Sequence, residues 1–351
     1  MRELNLMSNV SHSTTHATGL APPCRRPWLV ADIGGTHARF GWLAAGGDSV
    51  AHVATLASAA YRGPAQAARA YLSDLAIRLG PAFEPPRVGA FAVATAVGAD
   101  RVALTNSGWA FSRQATRLEL ALDELLVLND FEALALSLPR LKAEQLRPIG
   151  RLPQAIAMAT LAVIGPGTGL GVAGIVPTAQ GWVAVPGEGG HASLSSADEF
   201  EAALLAVVRK DHAHVSAERL LSGIGLPVLH RAVAAVLGRS GSADALTTEE
   251  VVARGLGRQD VVCEHTLDTF CALLGGFAGN VALTLGARGG VFIGGGIVPR
   301  LGERFFESRF RERFEAKGRF QDYLRAIPTQ LITDTLAALT GARVALEQHE
   351  R

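Results

Sequence analysis

The chain has 351 residues, 48% of them hydrophobic and 19% charged, which exceeds one typical hydrophobic core, so two domains are expected. Its 33 Lys+Arg against 32 Asp+Glu leave a net charge of +1, so no basic field would draw it to nucleic acid or anionic lipid. The three cysteines, Cys24, Cys263 and Cys271, are an odd set without metal-ligand spacing, and apolar runs such as Leu161–Ile164 and Val291–Ile293 are strand-length, short of the ~20 residues of a membrane span. A reducing cytoplasm and no membrane segment are the expectation.

Residues 1–27 read as a mobile extension. Ser8 to Thr18 is polar with no apolar run of the kind a signal peptide needs, and Ala21-Pro22-Pro23-Cys24-Arg25-Arg26-Pro27 cannot continue a helix. Order is expected from Trp28. Trp28–Ile33 reads as a buried strand, Gly34-Gly35 as its turn, and Ala38, Phe40 and Trp42 alternate with Arg39 and Gly41 as a second strand. Strand–turn–strand is neither the strand–turn–helix of a dinucleotide fold nor a Walker loop.

Pro64–Leu79 reads as helix, Val88–Val93 as strand, and Leu125–Leu128 as a strand leading into Asn129-Asp130, with Asp130 the expected N-cap of a helix Phe131–Leu138. The hairpin pattern then recurs. Ala162–Ile164 is a strand, Gly165 to Gly169 the turn, and Leu170–Val176 the return strand. Two glycine-rich hairpins, each with a Thr in or beside its turn, suggest two related half-molecules that each supply a phosphate-facing loop. Either one alone is also an ordinary hairpin. Asp198–Lys210 and Ala217–Leu221 read as helices, the latter capped by Ser216. Thr266–Leu285 reads as a long helix whose Gly275, Gly276, Ala278 and Gly279 permit close packing, and Gly290–Ile293 as a buried strand running into Gly294-Gly295-Gly296.

Several residues have chemical potential beside a plain structural use. Asp32, at a strand end, can orient a metal-bound water or cap its own turn, and the backbone N–H groups beside it can meet phosphate oxygens. Thr36 adds a hydroxyl. Gly167-Thr168-Gly169 offers a hydroxyl and amides without a carboxylate, which suits phosphate. Gly294 to Gly296 lets a flat ring approach the backbone or a helix pack tightly. Asp130 is a general-base candidate at the carboxyl edge of a sheet, or simply a cap. Asn106 and Asn129 offer amides to a polyol. Glu188 and His191 share a glycine-rich loop, and Glu218 lies near an expected helix start. Short acids, amides and an imidazole are what a polyhydroxylated ring needs, because each hydroxyl both donates and accepts.

Taken in order, these segments resemble a known family. Ala31-Asp32-Ile33-Gly34-Gly35-Thr36 is similar to the first phosphate motif shared by actin, hexokinase and the heat-shock chaperone ATPases. Thr105-Asn106, Trp109-Ala110-Phe111-Ser112, Asn129-Asp130-Phe131, Gly167-Thr168-Gly169-Leu170-Gly171, Pro186 to His191, His214 to Arg219, Leu221-Ser222-Gly223, Gly289 to Arg300 and Lys317-Gly318-Arg319-Phe320 resemble bacterial glucokinases of the proteobacterial type. The matches run from about Leu29 to Ile332. His37 stands where an Asn is usual, Ser107-Gly108 replaces a bulkier pair, and Asp334 to Leu339 replaces an Asn-Pro-Gly run.

The resemblance implies an α/β fold of two ribonuclease-H-like domains closing on a central cleft, usually as a homodimer. The expected division is 28–139 with the C-terminal 330–351 as the smaller domain and 140–329 as the larger. It implies phosphorylation of D-glucose by ATP with Mg²⁺, and Asp130 as catalytic base. Asn106, Asn129, Asp130, Glu188, His191 and Glu218 would bind the sugar. Asp32, Ile33, Gly34, Gly35, Thr36, Gly167, Thr168, Gly295 and Gly296 would hold the nucleotide, with Asp32 holding the metal through water. The rivals are a sugar-sensing regulator without turnover, an actin-like filament protein, and a kinase preferring another hexose.

Overall fold

The computed structural model describes residues 26–104, 108–239 and 246–350. Most of the expected N-terminal extension, Cys24 and Asn106 therefore lie outside the described residues. The last two residues of that expected extension are bonded: Arg26 pairs with Asp123 at 3.2 Å, and the Pro27 carbonyl accepts from the Arg87 amide.

Strands β1 (Trp28–Ile33), β2 (His37–Leu43), β3 (Ala51–Ala57), β4 (Val88–Val93), β5 (Arg101–Ala103), β6 (Ala110–Ser112) and β7 (Glu124–Asn129) come first. Five of them form a sheet in the order β3-β2-β1-β4-β7, and β5 pairs with β6 separately. Strands β8 (Leu146–Pro148), β9 (Leu161–Pro166), β10 (Leu170–Thr178), β11 (Gly181–Gly187), β12 (Gly290–Ile293) and β13 (Thr329–Ile332) form a second sheet, β11-β10-β9-β12-β13-β8. In each sheet an antiparallel meander of three strands adjoins strands running parallel to its first member: β1 with β4, and β9 with β12. Five strand positions thus repeat in the same order and sense. This is the two-unit α/β architecture expected from the paired hairpins.

β4 and β9 are buried along their whole length, as continuous apolar runs in parallel sheets require. Helices Asp130–Ser137 and Ala337–His349 lie between the sheets and share one core with Val30 and Ala90 of the first sheet and Val163, Ala173 and Phe292 of the second. They cross closely because residue 341 is glycine: a Cβ there would collide with the Ala133 carbonyl. β13 belongs to the second sheet, whereas the terminal helix packs on β1 and β4 of the first.

The long helix spans Val261–Leu285, capped by Asp260 through the Val262 and Cys263 amides. Gly275 and Gly279 let it approach the backbone of Phe310 and Phe314. Gly276 has open space above it, and its carbonyl accepts instead from Lys317 Nζ at 2.8 Å. At 25 residues, this is the one helix among the described residues long and apolar enough to cross a membrane by length and composition, contrary to the expectation that no segment reaches that length. Its composition follows from its place at the centre of the second core.

Two further expectations are corrected. Ala217–Leu221 is a run of turns, not a helix. The Ser216 hydroxyl accepts from the Arg219 amide as a cap would, but the chain turns again at Gly223–Gly225 before a helix forms at Leu226–Val236. The cap of the helix after β7 is Asn129, whose Oδ1 accepts from the Phe131 and Glu132 amides, and Asp130 occupies its first helical position.

Candidate active site

The two hairpin turns and the start of helix Asp130–Ser137 face one cleft. The β1–β2 turn is closed by the Gly34 amide donating to the His37 carbonyl, and the β9–β10 turn by the Gly167 amide donating to the Gly169 carbonyl. Both first glycines are therefore engaged within their turns, which leaves Gly35 and Thr36, and Thr168 and Gly169, as candidate amide donors. Ile33 is fully buried and anchors the first turn without facing the cleft, and Thr36 is exposed at the turn's tip.

Two cavities meet at Asp130 and Phe131. One of about 570 Å³ is lined by Gly34, Gly35, Thr95, Asn129, Gly167, Thr168, Gly169, Glu188, His191 and Glu218. The other, about 500 Å³, is lined by Asp32, Arg39, Gly294, Gly295, Gly296, Pro299 and Leu331 through Thr335. Asp130 and Phe131 line both. The structure thus brings together all the sequence-derived candidates except Ile33 and Thr36, which line neither cavity, and Asn106, which lies outside the described residues.

Asp130 sits where its ionisation is disfavoured. Burial, then the nearby negative Asp32 and, more weakly, Glu188 push its carboxyl up to about 7, against the Phe131 amide that donates to Oδ1 at 2.9 Å. Asp32 is also raised by burial, opposed by the Arg39 guanidinium 3.0 Å from Oδ2. Arg39 is a cleft residue that sequence reasoning passed over. Its signal was present: it alternates with buried Ala38 and Phe40 and so faces the other way.

Asn129 holds this corner rigid. Its Oδ1 caps the helix and its Nδ2 donates to the Thr95 carbonyl at 3.1 Å, leaving one N–H for a ligand. Glu218 performs a similar task on the opposite wall. Its Oε2 accepts from the Leu170 amide at 2.8 Å, which ties it to the strand leaving the Thr168 turn, while Oε1 lies 3.9 Å from His191 Nε2. A Cβ at Gly169 would meet Glu218 Oε2, so a side chain there would displace that carboxylate from the Leu170 amide. The same turn is braced by the Gly223 amide donating to the Gly167 carbonyl. His191 and Glu188 remain exposed at the rim, with 60% of the His191 side chain accessible against 23% for Glu218.

Phe131 locks the helix to the second sheet. Its ring occupies the space where Cβ atoms of Gly165 and Gly171 would stand, so two strands are cut away to receive it. Gly295, at φ +76° with the Pro166 carbonyl where a Cβ would stand, likewise brings the third glycine segment onto the second hairpin. Asp334, in the segment that replaces Asn-Pro-Gly, accepts from Gln145 Nε2 at 2.6 Å and from the Leu336 amide at 2.8 Å, fixing the far end of the second cavity.

A carboxylate poised near neutrality between a pocket of alternating donors and acceptors and a glycine-walled pocket with an acid–guanidinium pair is suited to moving a proton from a hydroxyl during group transfer. Comparison with known proteins agrees with this geometry. The profile of the glucokinase family matches residues 29–349. A glucokinase of Paramagnetospirillum magneticum is 49% identical over 315 residues, 89% of this chain and 95% of that one. A glucokinase of Aromatoleum aromaticum is 47% identical over 92% of this chain and 95% of that one. The crystal structure of a glucokinase from an Antarctic psychrotroph superposes with a TM-score of 0.82 at 39% identity, covering 93% of this chain and 99% of that one. A family match over nearly the whole described chain, relatives near half identity and a matching solved structure together establish that the chain belongs to the glucokinase family.

Proposed function

We propose that this cleft transfers the γ-phosphoryl group of ATP to the primary hydroxyl of D-glucose, giving glucose 6-phosphate and ADP. The observation that carries the reading is Asp130 on the wall common to both cavities, one lined by Asn129, Glu188, His191 and Glu218, the other walled by Gly294 to Gly296. The sugar lies against Asn129, Glu188, His191 and Glu218, and the nucleotide base and ribose lie in the second cavity. Asp130 accepts the hydroxyl proton as the oxygen attacks phosphorus in line, and the phosphorus–oxygen bond to the β-phosphate breaks. The Gly35, Thr168 and Gly169 amides donate to the phosphate oxygens.

Asp32 fits a divalent cation: it is an oxygen donor beside the phosphate turn, held at one oxygen by Arg39 and open at the other. Mg²⁺ held there through water would neutralise charge on the transferring phosphates. Arg39 keeps Asp32 oriented toward that site. Closure of the two sheets' domains excludes water as a competing acceptor; their division is taken at 139 as expected and, because β13 (Thr329–Ile332) belongs to the second sheet, just after Ile332 instead of at the expected 330. A homodimer acting in the cytoplasm completes the proposal, and size-exclusion chromatography tests the dimer.

A coupled assay of ADP release across glucose, mannose, fructose and glucosamine tests substrate choice. The expected result is a kcat/KM for glucose well above the others. ATP hydrolysis indifferent to any hexose would contradict the reading.

A further inference from the structure

Away from both cavities, the second core holds a cluster that phosphoryl transfer does not use. His230 lies on helix Leu226–Val236 and is only 2% exposed. Its Nε2 is, among the described residues, the one buried side-chain nitrogen or oxygen atom with no hydrogen-bond partner. Asp260 caps the long helix, and Cys263, fully buried, stands in that helix's first turn. One donor atom from each of His230, Asp260 and Cys263 lies within 4.8 Å of both others.

We propose that His230, Asp260 and Cys263 form a structural divalent-metal site, best suited to zinc, that ties helix Leu226–Val236 to the start of helix Val261–Leu285. Three observations converge on it. First, a buried imidazole nitrogen with no partner is costly, and a metal ion is a partner that needs no further protein donor. Second, one nitrogen, one carboxylate oxygen and one sulfur are the borderline donor set that zinc takes. Third, one Asp260 oxygen, Oδ1, already accepts from the Val262 and Cys263 amides at 2.7 and 3.2 Å, so the carboxylate is held in place while its second oxygen remains. Tetrahedral zinc places its donors within about 4 Å of one another, so the three atoms need only small torsional shifts to close on an ion.

The charges also balance. Burial holds His230 below its ordinary value, so the imidazole is neutral and able to ligate. The Cys263 thiol is pushed up to about 11 by burial and by Asp260, and it shares a hydrogen bond with that carboxylate. Metal entry would replace this shared proton, which leaves to solvent, with a sulfur–metal–oxygen bridge. Thiolate, carboxylate and a dication sum to zero, so the cluster's charge goes from −1 in the metal-free protein to zero with the ion bound. The sequence hides the site because His230 is separated from Asp260 and Cys263 by an intervening helix, Thr248–Leu256.

The test uses the full chain without a polyhistidine tag. Elemental analysis after gel filtration should find about one zinc per chain. After chelation and exposure to Co²⁺, a near-ultraviolet thiolate-to-cobalt band should appear. Cys263→Ser should abolish the band and lower zinc content at least tenfold, and His230→Gln should lower affinity by a comparable factor. Glucose phosphorylation should be retained in both variants, which also certifies their fold. Chelation of the wild-type protein should lower its Tm, a readout that depends on no substitution. Absence of zinc and of any cobalt band in the wild-type chain would overturn the proposal, and so would metal binding that persists unchanged in both variants.

Discussion

At the scale of single residues, the environment of Asp130 sets its proton affinity. With Asp130 near 7, kcat/KM for glucose should be level above about pH 8 and fall roughly tenfold per pH unit well below pH 7, since only the ionised carboxylate accepts a proton. The same shift acts on stability with the opposite sense. A carboxyl raised above its unfolded value favours the folded state below the unfolded value of 3.8, and that contribution is lost as pH rises through 7. Asp130→Asn, which cannot ionise, should therefore have a higher Tm than wild type at pH 8 and an equal Tm near pH 4. Thermal denaturation at the two pH values checks this, and an equal difference at both would remove burial as the cause.

His191 and Glu218 separate two roles. His191 is a rim residue whose side chain meets Glu218 at 3.9 Å, so His191→Ala should raise glucose KM by about five- to 150-fold and leave ATP KM within about threefold. Glu218 also holds the Leu170 amide beside the Thr168 turn, so Glu218→Ala should raise both KM values. Initial-rate kinetics with each substrate varied in turn distinguishes the two outcomes.

At the scale of elements, glycines decide how the helix bearing Asp130 seats. A methyl at residue 171 would enter the Phe131 ring, and that ring is one residue from the base. Gly171→Ala should cut kcat by about 10- to 100-fold by displacing Asp130, with circular dichroism unchanged. Unaltered kcat would show that the helix is positioned from elsewhere. None of this was legible in the sequence. Spacing announces a glycine turn, as at Gly34-Gly35 and Gly167 to Gly169, because the residues that need it are its neighbours. A glycine that accommodates a ring from another sheet has no local signature. The exchange of capping roles between Asn129 and Asp130 had the same origin, since both residue types cap well and only the position of the helix axis decides between them. Ala217–Leu221 looked helical because Ser216 and Glu218 mimic a start. The turn is set instead by Glu218 reaching Leu170 and by Gly223 bonding to Gly167, contacts across the fold. The long helix was underestimated at its start, where Asp260 rather than a residue near Thr266 caps it.

At the scale of the whole molecule, two similarly ordered sheets present matching hairpins to one cleft, and each wall is incomplete without the other. Thr95, Asn129 and Asp130 come from the first unit, and Thr168, Glu188, His191 and Glu218 from the second. Glucose alone should then draw the units together, seen as a smaller radius of gyration by small-angle X-ray scattering, and no change at saturation would argue for a preformed site. The repetition was readable because both hairpins carry the same punctuation; the sixth strand β8 and the layer of two helices between the sheets were not, being short or defined only by packing.

We propose Asp130, on the wall shared by the two cavities, as the base of phosphoryl transfer. Its most direct test is kcat of Asp130→Asn at saturating glucose and ATP, measured beside the glucose Kd of the same protein by titration calorimetry. Asparagine keeps the shape and the hydrogen bond from the Phe131 amide but cannot take a proton. The account predicts a kcat lower by about 100-fold or more with glucose Kd within about threefold of wild type. Near-normal turnover in this variant, with its fold and its glucose affinity intact, would contradict it.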